Sequence, residues 1–448
     1  MFLRRFWLGL ILLLCLPVMG TAQQFHLPEG VKSQKINFQL INNLIIIPLE
    51  INDAKLNFIL DSGVSKPLLF NLSDQDSIQL RNVSEITING LGAGEPIKAL
   101  NSRGNSFKIK KIRNFDQQIF VVLDKDINFS PSLGIPIHGI IGFDLFRDFV
   151  VEVNYGRKSI KFHNPDYYDE KPSKSTQTIP LSIVDRKAYI TGKVSFEDQD
   201  NVPVKLLIDT GSSDAVWLFQ DLEKGINIPE KHYVDYLGKG LNGSIFGKRT
   251  RVRRVQLGDF ELNNAKAAFP DMFSFSSIKD HGDRNGTVGG EILRRFNIVF
   301  NYQNNVIQLK KNSFFNEPFR FNMSGLELQH NGLRYIAERI TDSRGVVKND
   351  ERSFGDVQIL MENRTRLSLV PEIIVSGIRA GSPADEAGLR EGDVILAVNG
   401  KRVHKYKLQE IMNMINEKEG KKVRLLIERY DSDLLFSFTL KDVFNKKP

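Results

Sequence analysis

Along most of the chain, apolar residues form short runs that end at turn residues. The run from Ile36 to Asn52 is interrupted at Asn42 and Asn43, where a hairpin turn is expected, and a second turn follows at 52–55. Further turn signals follow at intervals of about ten residues, at Asn89-Gly90, at 103–105 and from Pro131 to Pro136. Short strands at this spacing predict a mainly β protein of the sandwich or barrel type.

The pattern occurs twice. Residues 138–162 and 286–309 align without a gap, and the residues that coincide are Gly139, Gly142, Arg147, Phe149, Asn154, Tyr155 and Ile160 in the first segment and Gly286, Gly289, Arg294, Phe296, Asn301, Tyr302 and Ile307 in the second. The offset is 286 − 139 = 147 residues. A duplicated β unit explains this repeat. We expect one lobe at 35–163 and a second at 177–312, joined by a segment rich in Pro, Ser and Lys.

Each copy contains a strand that ends in a carboxylate. FILDSGVS at 58–65 and LLIDTGSS at 206–213 are apolar runs that stop at Asp, a hydroxyl residue and Gly, and Asp61 and Asp209 differ by 209 − 61 = 148 residues. A carboxylate at the end of a buried strand loses its water, so it must be protonated or hydrogen-bonded. Two adjacent carboxyls that share a proton can supply both the base and the acid of a hydrolysis.

The paired motifs, each followed later by an apolar-apolar-Gly segment, resemble the pepsin/retropepsin aspartic proteases. The resemblance covers about residues 35–312 and implies a bilobal fold of β-barrels in which Asp61 and Asp209 are the catalytic pair. It also implies roles for six further residues. The hydroxyls of Ser62 and Thr210 would brace the two loops, Gly63 and Gly211 would allow the tight turns, and Gly142 and Gly289 would let the chain pass beneath the catalytic loops.

The two motifs differ after the glycine. Ser212 follows Gly211, whereas Val64 follows Gly63 and has no hydroxyl to stabilise an ionised carboxylate. We therefore expect an activity optimum that is less acidic than that of pepsin.

The chain beyond Lys310 has a different pattern. Gly381-Ser382-Pro383 predicts a helix cap before a short helix that ends at Gly388, and 405–417 has the apolar spacing of an amphipathic helix. This part resembles a PDZ domain of the bacterial protease type over 373–428, and we expect the whole domain at 318–442. The resemblance implies a peptide-binding loop and strand that hold a peptide's terminal carboxylate, formed by Ser324, Gly325, Leu326, Glu327 and Leu328. The alternative is a PDZ fold that packs on the lobes and binds nothing.

The N-terminus reads as a cleavable signal peptide at 1–22, with Arg4 and Arg5 before an apolar run from Phe6 to Leu16. We expect a secreted or periplasmic protein whose mature chain lacks the single cysteine and has no membrane span. Removal of two arginines lowers the formal net charge from +8 to 59 − 53 = +6. Such a diffuse excess does not predict nucleic-acid binding, and the basic run KRTRVRR at 248–254 is expected on the solvated face of a strand.

Taken together, the sequence predicts an aspartic endopeptidase that acts on polypeptides without a metal or cofactor. A metallopeptidase is disfavoured because none of the seven His stands in a HExxH motif. A serine protease is disfavoured because no Ser stands in a GxSxG setting. The remaining alternative is an inactive protease-like scaffold whose PDZ domain binds peptides.

Overall fold

The computed structural model describes residues 24–72, 77–92, 94–169, 172–275, 283–342 and 362–444. In these ranges the chain is mainly β-sheet, which confirms the predicted fold class. The predicted signal peptide lies outside the described residues, and no helix within them is long and apolar enough to cross a membrane.

Lobe one contains an eight-stranded sheet in the order β2-β3-β4-β9-β5-β8-β7-β6, and a further β3–β7 pairing rolls it towards a barrel. Its strands are β1 (Ser33–Asn37), β2 (Gln39–Ile41), β3 (Leu44–Ile51), β4 (Ala54–Leu60), β5 (Leu68–Leu69), β6 (Val83–Ile88), β7 (Ile97–Ile109), β8 (Ile112–Val122), β9 (Gly139–Ile141), β10 (Val150–Asn154) and β11 (Ser159–His163). Its helices are α1 (Ser130–Leu133), α2 (Phe143–Asp148) and a 3₁₀ turn at Pro165–Tyr167.

Lobe two repeats this sheet in the order β13-β14-β15-β20-β16-β19-β18-β17, with the matching β14–β18 pairing. Its strands are β12 (Thr176–Pro180), β13 (Ser182–Val184), β14 (Lys187–Ser195), β15 (Val202–Ile208), β16 (Val216–Leu218), β17 (His232–Gly240), β18 (Gly243–Leu257), β19 (Phe260–Pro270), β20 (Gly286–Val288), β21 (Phe296–Asn301) and β22 (Val306–Lys311). Helix α3 (Gly290–Leu293) and a 3₁₀ turn at Met272–Phe275 complete it.

A third sheet joins the lobes. It has six strands in the order β1-β11-β10-β21-β22-β12, so each lobe contributes three strands and β10 pairs with β21 at the centre. The inward side chains of this sheet and of both barrels form one apolar core, which includes Tyr155 and Phe300. The shared core explains why the two lobes form a single body.

The C-terminal unit has its own apolar core and a sheet in the order β23-β24-β25-β27-β28, with β26 paired to β25. Its elements are β23 (Leu326–Asp342), β24 (Glu362–Ile378), α4 (Pro383–Glu386), β25 (Val394–Val398), β26 (Lys401–Arg402), a 3₁₀ turn at Val403–Lys405, α5 (Leu408–Met414), β27 (Lys422–Arg429) and β28 (Ser432–Thr439). The Ser382 hydroxyl accepts a hydrogen bond from the Asp385 amide at 3.3 Å and caps α4, as the sequence predicts.

The C-terminal unit packs on the β17–β18 hairpin of lobe two. Tyr233 of β17 lies against Phe321 and Phe444, with ring centroids 6.5 and 5.7 Å away, and the Arg379 guanidinium lies 4.8 Å from its centroid. On the other side, Gln409 of α5 accepts a hydrogen bond from the Asn42 amide of lobe one at 3.0 Å. Both lobes therefore contact this unit.

One local prediction was wrong, and a second was only partly right. The turn expected at 103–105 lies inside β7, where a register shift accommodates Gly104 at φ 74°, because a bulge uses a left-handed glycine as readily as a turn does. The basic run at 248–254 lies on a strand, as expected, but its outward face is only partly solvated, with Arg253 about half exposed. Arg249 is largely buried in ion pairs, and Arg251 reaches Asp442 of the C-terminal unit at 3.2 Å.

Candidate active site

Two buried strands deliver the paired carboxylates to the same place. β4 runs parallel to β9 and ends at Asp61, whose amide donates to the Ile141 carbonyl at 2.8 Å. β15 runs parallel to β20 and ends at Asp209, whose amide donates to the Val288 carbonyl at 3.0 Å. Because the neighbouring strand fixes the last residue of each carboxylate strand, both loops begin from a rigid base.

Four hydrogen bonds tie the two loops together. The Ser62 amide donates to Thr210 Oγ1 at 3.0 Å, and the Thr210 amide donates to Ser62 Oγ at 3.1 Å. Each hydroxyl also donates across the lobe boundary, Ser62 to the Ile208 carbonyl and Thr210 to the Leu60 carbonyl, both at 2.7 Å. Both side chains are about 1% exposed. Every polar atom of this brace therefore has a partner, as a buried hydroxyl requires.

The two carboxyl groups face each other within hydrogen-bonding contact. Oδ1 of Asp61 accepts from the Gly63 amide at 2.7 Å, and Oδ1 of Asp209 accepts from the Gly211 amide at 2.9 Å. Each loop thus holds its own carboxylate by the same local hydrogen bond. The symmetry of the repeat extends to single atoms.

Gly63 and Gly211 are needed for a reason other than the one we expected. Neither has a left-handed φ. A Cβ on Gly211 would lie 2.3 Å from Cγ of Asp61, and one on Gly63 would lie 3.1 Å from Cγ of Asp209. The missing side chains let each loop approach the opposite carboxyl.

Gly142 and Gly289 lie under the catalytic loops. A Cβ on Gly142 would lie 1.6 Å from the Asp61 carbonyl oxygen. A Cβ on Gly289 would lie 2.4 Å from the Asp214 carbonyl oxygen and 2.9 Å from Ser212 Oγ. Since backbone cannot yield to such contacts cheaply, only glycine fits at either position.

The two carboxyls differ in their electrostatic surroundings. Burial, followed by the charge of Asp209, raises the pKa of Asp61 well above its usual range. Burial also raises the pKa of Asp209, but the positive charge of Arg284 and the amides of Gly211 and Ser212 oppose the rise. The pair titrates as a unit, and these surroundings favour a shared state in which Asp61 carries the proton and Asp209 the charge.

Ser212 contributes to this difference through its backbone, and the predicted role of its hydroxyl stays a prediction. The Ser212 amide favours the ionised form of Asp209, and its carbonyl accepts from the Gly290 amide at 2.6 Å. A peptide amide is available at any residue type, so the contrast between Ser212 and Val64 does not set the difference between the carboxyls. Arg284 sets more of it.

Two cations beside the carboxyl pair were not predicted from the sequence. Arg284 stands five residues before Gly289, where lobe one has Ile137 five residues before Gly142. Lys187 is the first residue of β14 and interacts electrostatically with both carboxylates. A charged residue opposite an apolar one in the repeat alignment was the signal that could have identified Arg284.

Two hairpins cover the cleft, one from each lobe. They are β6–β7 and β17–β18, and their tips meet. The Asn242 amide donates to the Leu91 carbonyl at 2.8 Å, while Oδ1 of Asn242 accepts from the Gly90 amide at 2.7 Å. The Tyr236 and Phe246 rings form a cross-strand pair with centroids 5.7 Å apart and line the cleft below the lobe-two tip.

The cleft has a volume of about 1890 Å³ and continues into the C-terminal unit. Its lining includes the two carboxylates and a groove between β23 and α5, which Leu328, Gln409, Met412 and Asn413 border. A polypeptide in the groove would therefore enter the same cavity as the carboxylate pair.

The predicted carboxylate-binding loop lies at one end of that groove, and its amides already have partners. The Ser324 amide donates to Asn416 Oδ1 at 3.0 Å, and the Gly325 amide to Asn322 Oδ1 at 2.9 Å. The Leu326 amide donates to Ser324 Oγ at 3.2 Å. A peptide carboxylate that binds these amides must displace three side-chain oxygens.

The next two predicted residues lie on β23 and both line the cleft, but they differ in exposure. Leu328 is 5% exposed and belongs to the core of the C-terminal unit, whereas Glu327 is exposed towards the cleft. No group of three or more His, Cys, Asp or Glu side chains suited to a metal ion occurs in the described part of the chain.

Comparison with known families agrees with this geometry. Residues 47–145 and 192–292 both match the family model described as aspartyl protease, and each segment contains one carboxylate of the pair. Residues 374–429 match the model of the PDZ domain.

Similar curated proteins match only short stretches. A protein of Neisseria meningitidis named provisionally as a zinc metalloprotease is 34% identical over 73 residues, which is 16% of each chain. Proteins of Staphylococcus aureus named provisionally as CtpA-like serine proteases are 40% identical over 58 residues, 13% of this chain and 12% of theirs. The chain thus spans less than a fifth of the length of these relatives, whose names give two different catalytic chemistries.

Proposed function

We propose that this chain, which joins a duplicated aspartyl protease domain to a PDZ domain, is an endopeptidase that hydrolyses peptide bonds with Asp61 and Asp209. One observation carries the proposal: two half-buried carboxyls from different lobes meet in the cleft within hydrogen-bonding contact, and a reciprocal hydroxyl brace holds them there. A structural turn has no need of such a contact, because an isolated Asp at a turn is normally solvated.

The unequal surroundings of the carboxyls suggest their roles. Asp209, whose ionised form Arg284 favours, takes a proton from the attacking water, while protonated Asp61 donates to the carbonyl oxygen of the scissile bond. The resulting tetrahedral intermediate collapses when the proton on Asp209 passes to the leaving nitrogen and one hydroxyl of the intermediate returns its proton to Asp61. No covalent bond to the protein forms, and the pair returns with one shared proton.

The PDZ domain supplies a second contact with the substrate. Its groove opens into the cleft that holds the carboxyls. A polypeptide bound in the groove can therefore extend directly to the carboxyl pair. We propose that the PDZ domain captures substrates, or regulates the peptidase, by binding peptide C-termini or by pairing with an added strand beside Glu327. We also propose a secreted or periplasmic location, on the basis of the N-terminal signal sequence.

The test is hydrolysis of an unfolded protein from pH 3 to pH 8, with Asp61→Asn and Asp209→Asn beside the unchanged chain. Either substitution should lower the rate by roughly a thousandfold or more, since the pair acts as a unit. Pepstatin should inhibit. Asp53→Asn, which removes the same charge from an exposed turn, is the matched control and should leave the rate unchanged.

The pH profile tests the electrostatics. Because the pKa of Asp61 is raised, the singly protonated pair persists to higher pH, and activity should fall only as pH rises through that value. An optimum at strongly acid pH would contradict this. If nothing is cut at any pH while peptides bind the PDZ domain, the chain is a binding scaffold instead.

A further inference from the structure

A pair of cations from lobe two stands beside the catalytic carboxyls. Lys187 and Arg284 both line the cleft that contains the carboxyls, and both belong to lobe two. The charge of Arg284 acts on Asp209, and the charge of Lys187 acts on both carboxyls. Both cations therefore lie near the carboxyls, in the cleft that a substrate must enter.

The Arg284 side chain is anchored rather than free. Nε donates to the Gly286 carbonyl at 2.9 Å, Nη2 donates to Thr287 Oγ1, and the guanidinium lies 5.3 Å from the centroid of the Phe219 ring. The anchor residues belong to β20, which pairs with the strand that ends at Asp209. Within the described ranges, no carboxylate lies within ion-pair distance of Arg284. The guanidinium is thus held in position with donors left over.

Lys187 has no hydrogen bond or ion pair with any residue that the structure describes. Burial and the neighbouring charge of Arg284 lower its pKa, while Asp209, Asp185 and Asp61 oppose this. An ammonium group without a partner, beside a second cation, is a costly arrangement unless an anion arrives. A carboxylate would relieve it.

Lobe one has apolar residues at the matching positions. The hairpin turns Asn42-Asn43 and Asp185-Arg186 share the same left-handed φ values, so Leu44 corresponds to Lys187. The repeat alignment pairs Ile137 with Arg284. Leu44 and Ile137 are buried in one apolar cluster. The two matching residues of lobe one are therefore buried and apolar, whereas those of lobe two are cations that line the cleft.

We propose that Lys187 and Arg284 form a carboxylate-binding subsite, so that the preferred substrate carries a carboxylate next to the scissile bond on the lobe-two side. This inference rests on the proposed peptidase function and names its substrate class. Two sources of the carboxylate are compatible with the site: an Asp or Glu side chain within the chain, and the α-carboxylate of a chain end.

Matched peptides test the subsite. Cleavage sites in an unfolded protein, read by mass spectrometry, would supply a parent sequence, from which peptides with Glu or Gln at each position flanking the scissile bond are made. A third pair places the α-carboxylate, free or amidated, at the same distance. We expect kcat/KM to favour the carboxylate member of one pair by roughly tenfold or more, since charge-assisted hydrogen bonds to a held guanidinium are strong.

Variants assign the preference to the two cations. Lys187→Met and Arg284→Met should each reduce the Glu-to-Gln ratio of kcat/KM several-fold. Lys205→Met should retain it, because that lysine pairs with Asp283 outside the cleft. A preference confined to the free chain end would support the subsite and identify the α-carboxylate as its ligand.

Two results would overturn the subsite and leave the peptidase intact. One is an equal rate for all pairs while Asp209→Asn still abolishes cleavage. The other is an Arg284→Met variant that shifts the pH profile and slows both members of each pair equally, because the arginine would then act only through Asp209. Hydrolysis that survives Asp209→Asn would instead refute the proposed function.

Discussion

The two lobes place different chemistry on the same backbone. Five residues after Asp61 stands Lys66, and five residues after Asp209 stands Asp214. Two further pairs of matching positions, 148 residues apart, lie around them. Gln118 of lobe one matches Lys266 of lobe two, and Asn101 matches Arg249. In lobe one these side chains form a chain of hydrogen bonds, from Lys66 Nζ to Gln118 Oε1 at 2.8 Å and from Gln118 Nε2 to Asn101 Oδ1 at 2.7 Å.

In lobe two the same positions form a buried ion network. Arg249 contacts Asp214 at 2.6 Å and Asp235 at 2.7 Å, and Lys266 contacts Asp214 at 3.5 Å. Burial alone would raise the pKa of Asp214, but the two cations hold it at about 2. Glycines and the hydroxyl brace, whose role is steric and local, are alike in both lobes. The charged side chains, in contrast, differ between the lobes. The ion network lies in lobe two, whose β17–β18 hairpin packs against the PDZ domain.

Replacement of Arg249 should give the largest difference in stability between matching positions of the two lobes. Arg249→Met leaves two buried carboxylates without their main partner and should lower the free energy of unfolding by about 3–5 kcal/mol at pH 7. The counterpart Asn101→Ala removes one hydrogen bond and should cost about 1 kcal/mol. Urea denaturation of both variants measures the difference. Equal losses of unfolding free energy in the two variants would mean that the ion network contributes no more to stability than the hydrogen bonds of lobe one.

The same pair of variants has a pH signature. Since the pKa of Asp214 is lowered in the folded chain, its stabilising contribution is present above the usual value of 3.8 and is lost as pH falls towards about 2. The gap between the unchanged chain and Arg249→Met should narrow over that window.

The next largest losses of stability should follow replacement of the glycines beneath the catalytic loops, and the loss should differ between the lobes. Gly142→Ala introduces a contact of 1.6 Å with backbone and should cost about 3 kcal/mol, whereas the closest contact at Gly289→Ala is 2.4 Å and the loss should be smaller. Gly156→Ala, whose new Cβ would lie 3.7 Å from its nearest neighbour, serves as the control. Thermal unfolding of the three variants would rank them, and a Gly289→Ala loss above that of Gly142→Ala would contradict the geometry.

The brace should respond almost equally in both lobes. Ser62→Ala and Thr210→Val each remove one hydroxyl and leave the opposite amide without its acceptor, so each should cost about 1–3 kcal/mol. The double variant should cost less than the sum, because the two hydroxyls belong to one reciprocal set of hydrogen bonds. A double-mutant cycle by urea denaturation measures this coupling. Strict additivity would show that the loops are held by other contacts.

The smallest expected effect is a gain in stability at the carboxyl pair itself. Because the pKa of Asp61 is raised in the folded chain, stability falls as pH rises from the usual value of 3.8 through the raised one. Asp61→Asn should therefore raise the free energy of unfolding at pH 7 by roughly 0.5–2 kcal/mol, and the gain should vanish at pH 3. Asp209→Asn should gain less, since it also removes the negative charge that the positive charge of Arg284 favours. A loss of stability in either variant would contradict the burial cost.

The repeat explains how much the sequence could predict. The mainly β fold, its duplication and the paired carboxyls follow from local patterns that recur at a fixed offset, whereas the roles of Gly142 and Gly289 were implied by the resemblance to aspartic proteases. The partners of Arg249 could not be predicted, because Asp214 lies 35 residues away in sequence and only the fold brings them together. Gly104 was misassigned because φ preference alone does not distinguish a bulge from a turn. The anchoring of Arg284 over Phe219 depends on a contact between distant loops and had no local signature.

The central sheet has a consequence for the halves of the chain. Strand β10 pairs with β21 through Val151–Asn154 and 297–300, so this edge of each lobe is completed only by the other. A lobe produced alone would expose a row of unpaired backbone donors and acceptors on an apolar sheet, which is a template for association. The matching edge of a second copy of the same lobe would be the nearest substitute. A covalently joined pair avoids that self-association, and the join also fixes one Lys187 and one Arg284 per cleft, which a symmetric assembly of identical lobes could not do.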